Sequence, residues 1–225
     1  MDELRARVMA EKADIGVAFD GDADRFLAVD EKGNKIDGDQ IMAIVGKHMK
    51  EKGQLKKNTI VATIMSNLGF FKMGEREHIR IDQTKVGDRY VLEHMKEIGA
   101  NLGGEQSGHV IFLDENTTGD GLLTALHLLQ VMVETKKPLS ELSQVMTVMP
   151  QALENATVPN HKKEAYLDYP EIRDAIDQLE KEFAGNGRVL IRPSGTEPLV
   201  RVMIEGSDLE KITKEAKNLA ALIQK

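Results

Sequence analysis

The sequence predicts an α/β protein: a mixed, mainly parallel sheet domain with helices on both faces, followed by a smaller C-terminal α+β domain. Three observations carry this reading. Short β-branched apolar runs alternate with stretches of helical periodicity through residues 15–135, the alternation that βαβ units produce. The pattern changes after Met149-Pro150, where the order becomes strand, helix, strand, strand, helix. The 225 residues, 41% of them hydrophobic, suffice for one large core or two smaller ones.

The first stretch, 2–12, reads as the end of an amphipathic helix. An apolar run at 15–19 and a second at 26–30 read as strands, and Glu31-Lys32-Gly33-Asn34 as the turn after them. Ile41, Ile44, Val45, His48 and Met49 recur at helical spacing over 39–52, and Gly53 stops that helix. The β-branched run 59–65 is a strand, after which Ser66-Asn67 offer N-cap chemistry to a short helix. A strand at 79–83 follows, then a helix with Val91, Leu92, Met95 and Ile98 on one face and Gly99 at its end. Short strands near 101–102 and 110–113 flank Gly103-Gly104-Glu105-Gln106-Ser107-Gly108-His109. Thr117-Thr118-Gly119-Asp120 leads into a long helix whose Leu122, Leu123, Leu126, Leu129 and Val133 are expected in the core. Beyond the boundary come a strand (151–158), a helix (169–184), two strands (188–192 and 198–205) and a helix (208–224).

Composition narrows the function. No cysteine is present, which removes disulfides and thiolate chemistry and fits a reducing cytoplasm. A formal net charge of −7 argues against nucleic acid as a partner. No apolar run approaches the length of a membrane span, so a cytoplasmic protein without membrane association is expected.

The chemistry concentrates in a few loops. Directly after the first strand, Asp20, Asp22 and Asp24 arrive at every second position, with Gly21 and Ala23 between them. Small residues let the backbone curl so that the carboxylates converge, and three converging carboxylates call for a hard divalent cation. An EF-hand does not fit, because Arg25 stands where that loop needs glycine. Arg25 instead suits a phosphoryl group shared with the metal. Residues 103–109 set an acid, an amide, a hydroxyl and an imidazole among glycines, a mixture of donors and acceptors suited to sugar hydroxyls. Arg192-Pro193-Ser194-Gly195-Thr196-Glu197-Pro198, with Arg201 close behind, reads as an anion nest in a tight turn. Lys85 and Arg89 at a helix start form a further anion site. A metal-dependent phosphatase with Asp20 as nucleophile and a non-catalytic sugar-phosphate-binding module use the same groups, although a phosphatase leaves the second phosphate nest unexplained.

Asp20-Gly21-Asp22-Ala23-Asp24-Arg25, the segment Lys85 to Arg89, Gly104-Glu105-Gln106-Ser107-Gly108-His109 and Arg192 to Pro198, in that order, resemble the α-D-phosphohexomutase family. The wording is most similar to the bacterial branch that acts on an amino-sugar phosphate, with phosphomannose and phosphoglucose enzymes as the alternative. The resemblance implies an isomerase that works through a phosphoserine and a bisphosphorylated sugar. It implies Mg²⁺ on Asp20, Asp22 and Asp24, with Arg25 and Lys85 at the reacting phosphoryl group and His109 assisting proton transfer. Glu105, Gln106, Ser107 and Arg89 would hold the sugar, and Arg192, Ser194, Gly195, Thr196 and Arg201 the phosphate that does not react. The family's serine sits in a Ser-His-Asn-Pro-like loop of its first domain, and none of the six serines here has that context. The resemblance therefore implies a C-terminal portion: 1–34 as the tail of the second domain with the metal loop, 35–147 as the third domain and 148–225 as the fourth. Its partners would be the sugar-phosphate substrate, the N-terminal half of the same enzyme and, in a homodimer, a second copy.

Overall fold

A computed structural model describes the chain at every residue except Glu164 and Thr196, and describes Lys162 by its backbone alone. The chain divides into two compact units, Met1–Thr147 and Val148–Lys225.

In the first unit, helix α1 (Asp2–Glu11) precedes an antiparallel sheet of β1 (Ile15–Phe19), β2 (Phe26–Asp30) and β3 (Lys35–Ile36), in the order β1-β2-β3. The pairing of β1 with β2 runs out at Phe19 opposite Phe26, which leaves the acidic loop as the hairpin connection. Strand β3 was not legible as a period, being two residues long. Its turn is closed by Asp30, whose carboxylate accepts from the N–H groups of Lys32 at 3.0 Å and Asn34 at 2.7 Å.

Helix α2 (Gly38–Glu51) starts from a capping box in which Asp37 and Gln40 satisfy each other's backbone N–H. Burial pushes the Asp37 carboxyl above its ordinary range. There follow β4 (Thr59–Thr63), α3 (Leu68–Glu77), β5 (Arg80–Thr84), α4 (Asp88–Ile98), β6 (Leu102–Gly104), β7 (Val110–Phe112), α5 (Gly121–Thr135) and the single turn α6 (Leu139–Leu142). The four strands form one sheet in the order β5-β4-β6-β7, with β4 parallel to both neighbours and β7 antiparallel.

The two-residue period of the strands divides the core. Ile60, Ala62, Leu102, Val110 and Phe112 face the cluster built from α2, α3 and α5. Val61 and Ile111 face the opposite side, where Val91 and Met95 of α4 cover them. The mainly parallel sheet with helices on both faces is thus present. Helix α5 corrects one detail of the expectation: Ala125, Leu128 and Val131 are its buried residues, whereas Leu122, Leu126 and Val133 are exposed.

The second unit is a three-stranded antiparallel sheet in the order β8-β10-β9, formed by β8 (Gln151–Thr157), β9 (Gly187–Pro193) and β10 (Leu199–Gly206). Helices α7 (Pro170–Phe183) and α8 (Leu209–Ile223) pack Ile172, Leu179, Ile212, Ala216 and Leu219 onto Val200, Val202 and Ile204 of the central strand. This is the expected small α+β layer. Among the described residues no helix is long and apolar enough to cross a membrane.

One electrostatic consequence belongs to the first unit. Hydrogen bonds from Lys52, Gln130 and the His48 ring lower the carboxyl of Glu134 on α5 to about 2. A carboxyl lowered in the folded state stabilises above its ordinary value of 4.5 and loses that contribution as pH falls toward 2. Glu134→Gln is therefore expected to lower the melting temperature slightly at neutral pH, and the difference should close across that acid window. A pH series of thermal melts checks this; a gap that persists at pH 2 contradicts it.

Candidate functional site

The acidic loop takes its shape from one left-handed residue. Ala23 has φ of 58°, and its N–H donates to the carbonyl of Asp20 at 3.2 Å. The curl lies there and not at Gly21, where positive φ is not used. Each of Asp20, Asp22 and Asp24 then offers an oxygen within 4.8 Å of the other two. Two opposite ligands of an octahedral Mg²⁺ stand roughly 4.2 Å apart, so the spread closes onto that ion with small side-chain rotations. An all-carboxylate donor set with room left for water or phosphate oxygens suits Mg²⁺ rather than a softer metal. The backbone N–H of Arg25 donates to Asp20 Oδ1 at 3.2 Å. Its guanidinium Nε lies 3.8 Å from Asp20 and 3.9 Å from Asp24, keeping positive charge beside the loop.

The loop between β6 and β7 is stitched to the acidic loop by backbone. Phe26 N–H donates to Gly108 O at 3.0 Å, and Gly38 N–H to Gln106 O at 3.0 Å. Gly108 has φ of +98°, and a Cβ there would strike the backbone of Phe26. Glycine is what lets the two loops touch. Glu105 is half-buried, and its Oε1 accepts from Gly87 N–H at 3.0 Å, which draws the start of α4 to the same place. Gln106 is half-buried and Ser107 exposed. The structure thus brings Asp20, Asp22, Asp24, Arg25, Glu105, Gln106 and Ser107 together in one unit.

Three expected residues behave differently from their companions. Lys85 is exposed and forms no ion pair among the described residues. Arg89 is exposed and held by Glu93 one turn along the helix at 2.7 Å. That hydrogen bond raises its pKa and turns the guanidinium toward its own helix. His109 is enclosed, 3% exposed, with Nδ1 3.0 Å from Asp24 Oδ2 and Nε2 3.1 Å from Gly119 N–H, so the ring lies directly beside the acidic loop. Neither Gly87 nor Gly119 was singled out from sequence as a site residue. Each makes its contact through a backbone N–H, a group that no side-chain pattern advertises.

In the second unit, register does the work. Arg201 stands directly opposite Arg192 across the β9–β10 pair, so both guanidinium groups project from the same face. Like charges in opposed positions repel, and Arg192 Nε is buried with no hydrogen-bond partner among the described residues. Glu197 offsets part of the charge through a 3.0 Å pair with Arg201. An anion would satisfy what remains. Lys163, which sequence reasoning missed, donates to the carbonyls of Ser194 at 2.5 Å and Glu197 at 3.1 Å and so braces the turn. The expected row of free backbone N–H groups is shorter than anticipated. Ser194 N–H donates to Leu199 O at 2.9 Å, and Glu197 N–H donates to Ser194 Oγ at 3.2 Å. Gly195 is exposed, and Thr196 lies outside the described residues.

Two family models match the chain. Residues 37–149 match the family model described as phosphoglucomutase/phosphomannomutase, alpha/beta/alpha domain III. Residues 128–222 match the one described as phosphoglucomutase/phosphomannomutase, C-terminal domain. A phosphoglucosamine mutase of Ruminiclostridium cellulolyticum is 62% identical over 224 residues, which is 100% of this chain and 50% of that protein. The chain spans about half the length of the curated relatives it matches. Among solved structures, an N-acetylglucosamine-phosphate mutase in its substrate complex, a member of the alpha-D-phosphohexomutase superfamily, superposes with a TM-score of 0.76 at 23% identity, over 93% of this chain and 48% of that one. The Aspergillus fumigatus N-acetylphosphoglucosamine mutase, in complex with GlcNAc-6P and magnesium, gives 0.73 at 20% identity over 92% and 48%. At such identities the two structures show a shared fold.

Proposed function

The chain belongs to the phosphoglucomutase/phosphomannomutase family, and from that premise we propose that it carries metal-, sugar- and phosphate-holding parts of a phosphoglucosamine mutase. Such an enzyme interconverts glucosamine 6-phosphate and glucosamine 1-phosphate through a phosphoserine and a sugar bisphosphate, on the route to UDP-N-acetylglucosamine and the cell wall. Residues 1–34 would be the tail of the second domain, 35–147 the third and 148–225 the fourth. The phosphoserine would come from the other half of the length its relatives have.

The observation that carries the proposal is the backbone stitching of the acidic loop to the Glu105–His109 loop by Phe26 N–H and Gly108 O. It joins a place for a cation to a place for sugar hydroxyls. When bound to Asp20, Asp22 and Asp24, Mg²⁺ supplies neutralising charge to a phosphoryl group. Arg25 steadies the phosphoryl oxygens with a planar fork, and exposed Lys85 adds charge near the same loops. Glu105, Gln106 and Ser107 accept from and donate to sugar hydroxyls, with Glu105 already oriented by Gly87. Arg89 joins them only after releasing Glu93. Arg192, Arg201, Ser194, Gly195 and Thr196, in the second unit, hold a phosphate that does not react.

Titration of the chain with glucosamine 6-phosphate, glucose 6-phosphate and mannose 6-phosphate in the presence of Mg²⁺ tests the assignment. Glucosamine 6-phosphate is expected to bind most tightly. Equal affinities would favour a phosphoglucomutase/phosphomannomutase of broader substrate range, and no binding would refute the sugar-phosphate reading.

Mg²⁺ itself is expected to bind weakly, because three carboxylates must complete its octahedron with water. Asp22→Ala should weaken it roughly tenfold, the effect of losing about 1.4 kcal/mol. Calorimetry decides: submicromolar affinity, or affinity unmoved by Asp22→Ala, contradicts the site.

A further inference from the structure

Resting on the reading of Glu105, Gln106 and Ser107 as sugar-holding residues, we propose that Asp88 is a specificity-determining residue whose carboxylate receives the ammonium that distinguishes an amino sugar from a plain hexose.

The local structure sets that carboxylate against the sugar loop. Asp88 is the first residue of α4, directly after Gly87. Gly87 has φ of +129°, a conformation that glycine adopts without strain, and its N–H is tied to Glu105 Oε1 at 3.0 Å. One hydrogen bond thus fixes the residue before Asp88 to the loop that would hold the sugar. At the other end of the same loop, His109 Nε2 lies 3.9 Å from Asp88 Oδ2. That separation is beyond hydrogen bonding, so it marks proximity and leaves the carboxylate unspent.

The other carboxylates of these loops are occupied. Asp20, Asp22 and Asp24 converge as for a cation, Glu105 accepts from Gly87 N–H, and Glu93 holds Arg89 at 2.7 Å. Asp88 accepts no hydrogen bond and pairs with neither Lys85 nor Arg89 among the described residues, and its side chain is 61% exposed.

A hydroxyl both donates and accepts, whereas an ammonium donates three hydrogens, accepts none and carries a charge. A site that separates the two therefore needs a charged acceptor with no cation already on it, which is what Asp88 offers. The rest of the helix start works against an ammonium: its N-terminus carries partial positive charge, and Lys85 is an exposed cation. The full negative charge of Asp88 reverses that sign locally. An aspartate in the first helical turn also stabilises its helix, but that contribution is the same for every ligand and leaves the choice between ligands untouched.

Titration of the 225-residue chain with glucosamine 6-phosphate and glucose 6-phosphate, each with Mg²⁺, tests the proposal through the ratio of the two affinities. The unsubstituted chain should favour glucosamine 6-phosphate, and Asp88→Asn should shrink the ratio about tenfold, the low end for a hydrogen bond to a charged group because the carboxylate is exposed. Asp88→Ser should do the same and serves if the first variant folds poorly. Added salt should lower the ratio in the unsubstituted chain and leave it unchanged in Asp88→Asn, since screening acts on a charge pair. A ratio unmoved by either substitution, a parallel loss of both affinities, or a ratio indifferent to salt in the unsubstituted chain overturns the proposal. So does equal binding of the two ligands by the unsubstituted chain, which leaves the sugar-phosphate reading in place. Binding of neither ligand is the separate failure: it removes that reading and the role of Asp88 with it.

Discussion

Glucosamine 6-phosphate supplied to the 225-residue chain with Mg²⁺ and a sugar bisphosphate primer is expected to yield no glucosamine 1-phosphate. The cycle needs a group that gives a phosphoryl to the sugar and takes one back after the sugar reorients. Of the six serines, Ser66, Ser140 and Ser194 are buried. Ser140 is tied to Glu31, and Ser143 donates to the Ser140 carbonyl. Ser207 is exposed in the second unit, directly after β10. Ser107 is exposed in the sugar loop, where the family resemblance gives it hydroxyls to hold. Asp20 is a poor surrogate, since its Oδ1 already accepts from Arg25 N–H and a carboxylate shared with a metal is weakly nucleophilic. Deleting a nucleophile in other enzymes costs on the order of a millionfold in kcat, which puts any residual rate below a coupled assay. Separately expressed residues from the other half of a full-length relative should restore turnover if the two associate. Steady turnover by this chain alone, abolished by Ser107→Ala, would instead make Ser107 the phosphoryl carrier and refute the expectation.

Arg192→Ala is expected to weaken binding of a sugar phosphate about tenfold to a hundredfold, whereas Lys85→Ala should change it much less. A charge-assisted bidentate contact contributes roughly 1.5 to 3 kcal/mol. Arg192 is well placed for one: its Nε is buried with no hydrogen-bond partner among the described residues, and Arg201 stands opposite it. An incoming phosphate relieves both the unmet donor and the repulsion between the two guanidinium groups. Lys85 is an exposed ammonium on a flexible stem, which loses more rotamer freedom per contact and is screened by salt. The unliganded Arg192→Ala chain should moreover be no less stable than the parent, because a like-charge pair is removed. Paired titrations and urea unfolding check both statements. Equal losses for the two variants refute the ranking, and marked destabilisation by Arg192→Ala would show that the arginine holds the fold together rather than a ligand.

Much of this molecule is decided locally. The alternation of apolar runs and helical periods, the Asn67 and Asp120 caps and the stop at Gly99 depend on neighbours a few residues away, and their elements lie within a few residues of where the sequence places them. The acidic loop and the Arg192 turn were legible for the same reason, each being a contiguous run of distinctive chemistry. Strand β3 was not, because two residues carry no period and pairing alone makes them a strand. Nor was the outward face of α5, since a helix apolar on most sides does not by itself say which side is covered.

The site's working geometry lies further from the primary structure. His109 and Asp24 are 85 residues apart, Gly87 and Glu105 are 18, and Lys163 and Ser194 are 31. Residue types alone placed an imidazole in the loop; only the packed chain sets Gly119 N–H against one of its nitrogens and Asp24 against the other. Likewise the Ser194 turn engages the N–H groups of Ser194 and Glu197 in its own closure, and strand register sets Arg201 directly opposite Arg192. Side-chain pattern encodes backbone preference and which chemistry is present. Which atom meets which, and hence which lone pair or proton is left for a ligand, depends on contacts that exist only after distant strands have paired.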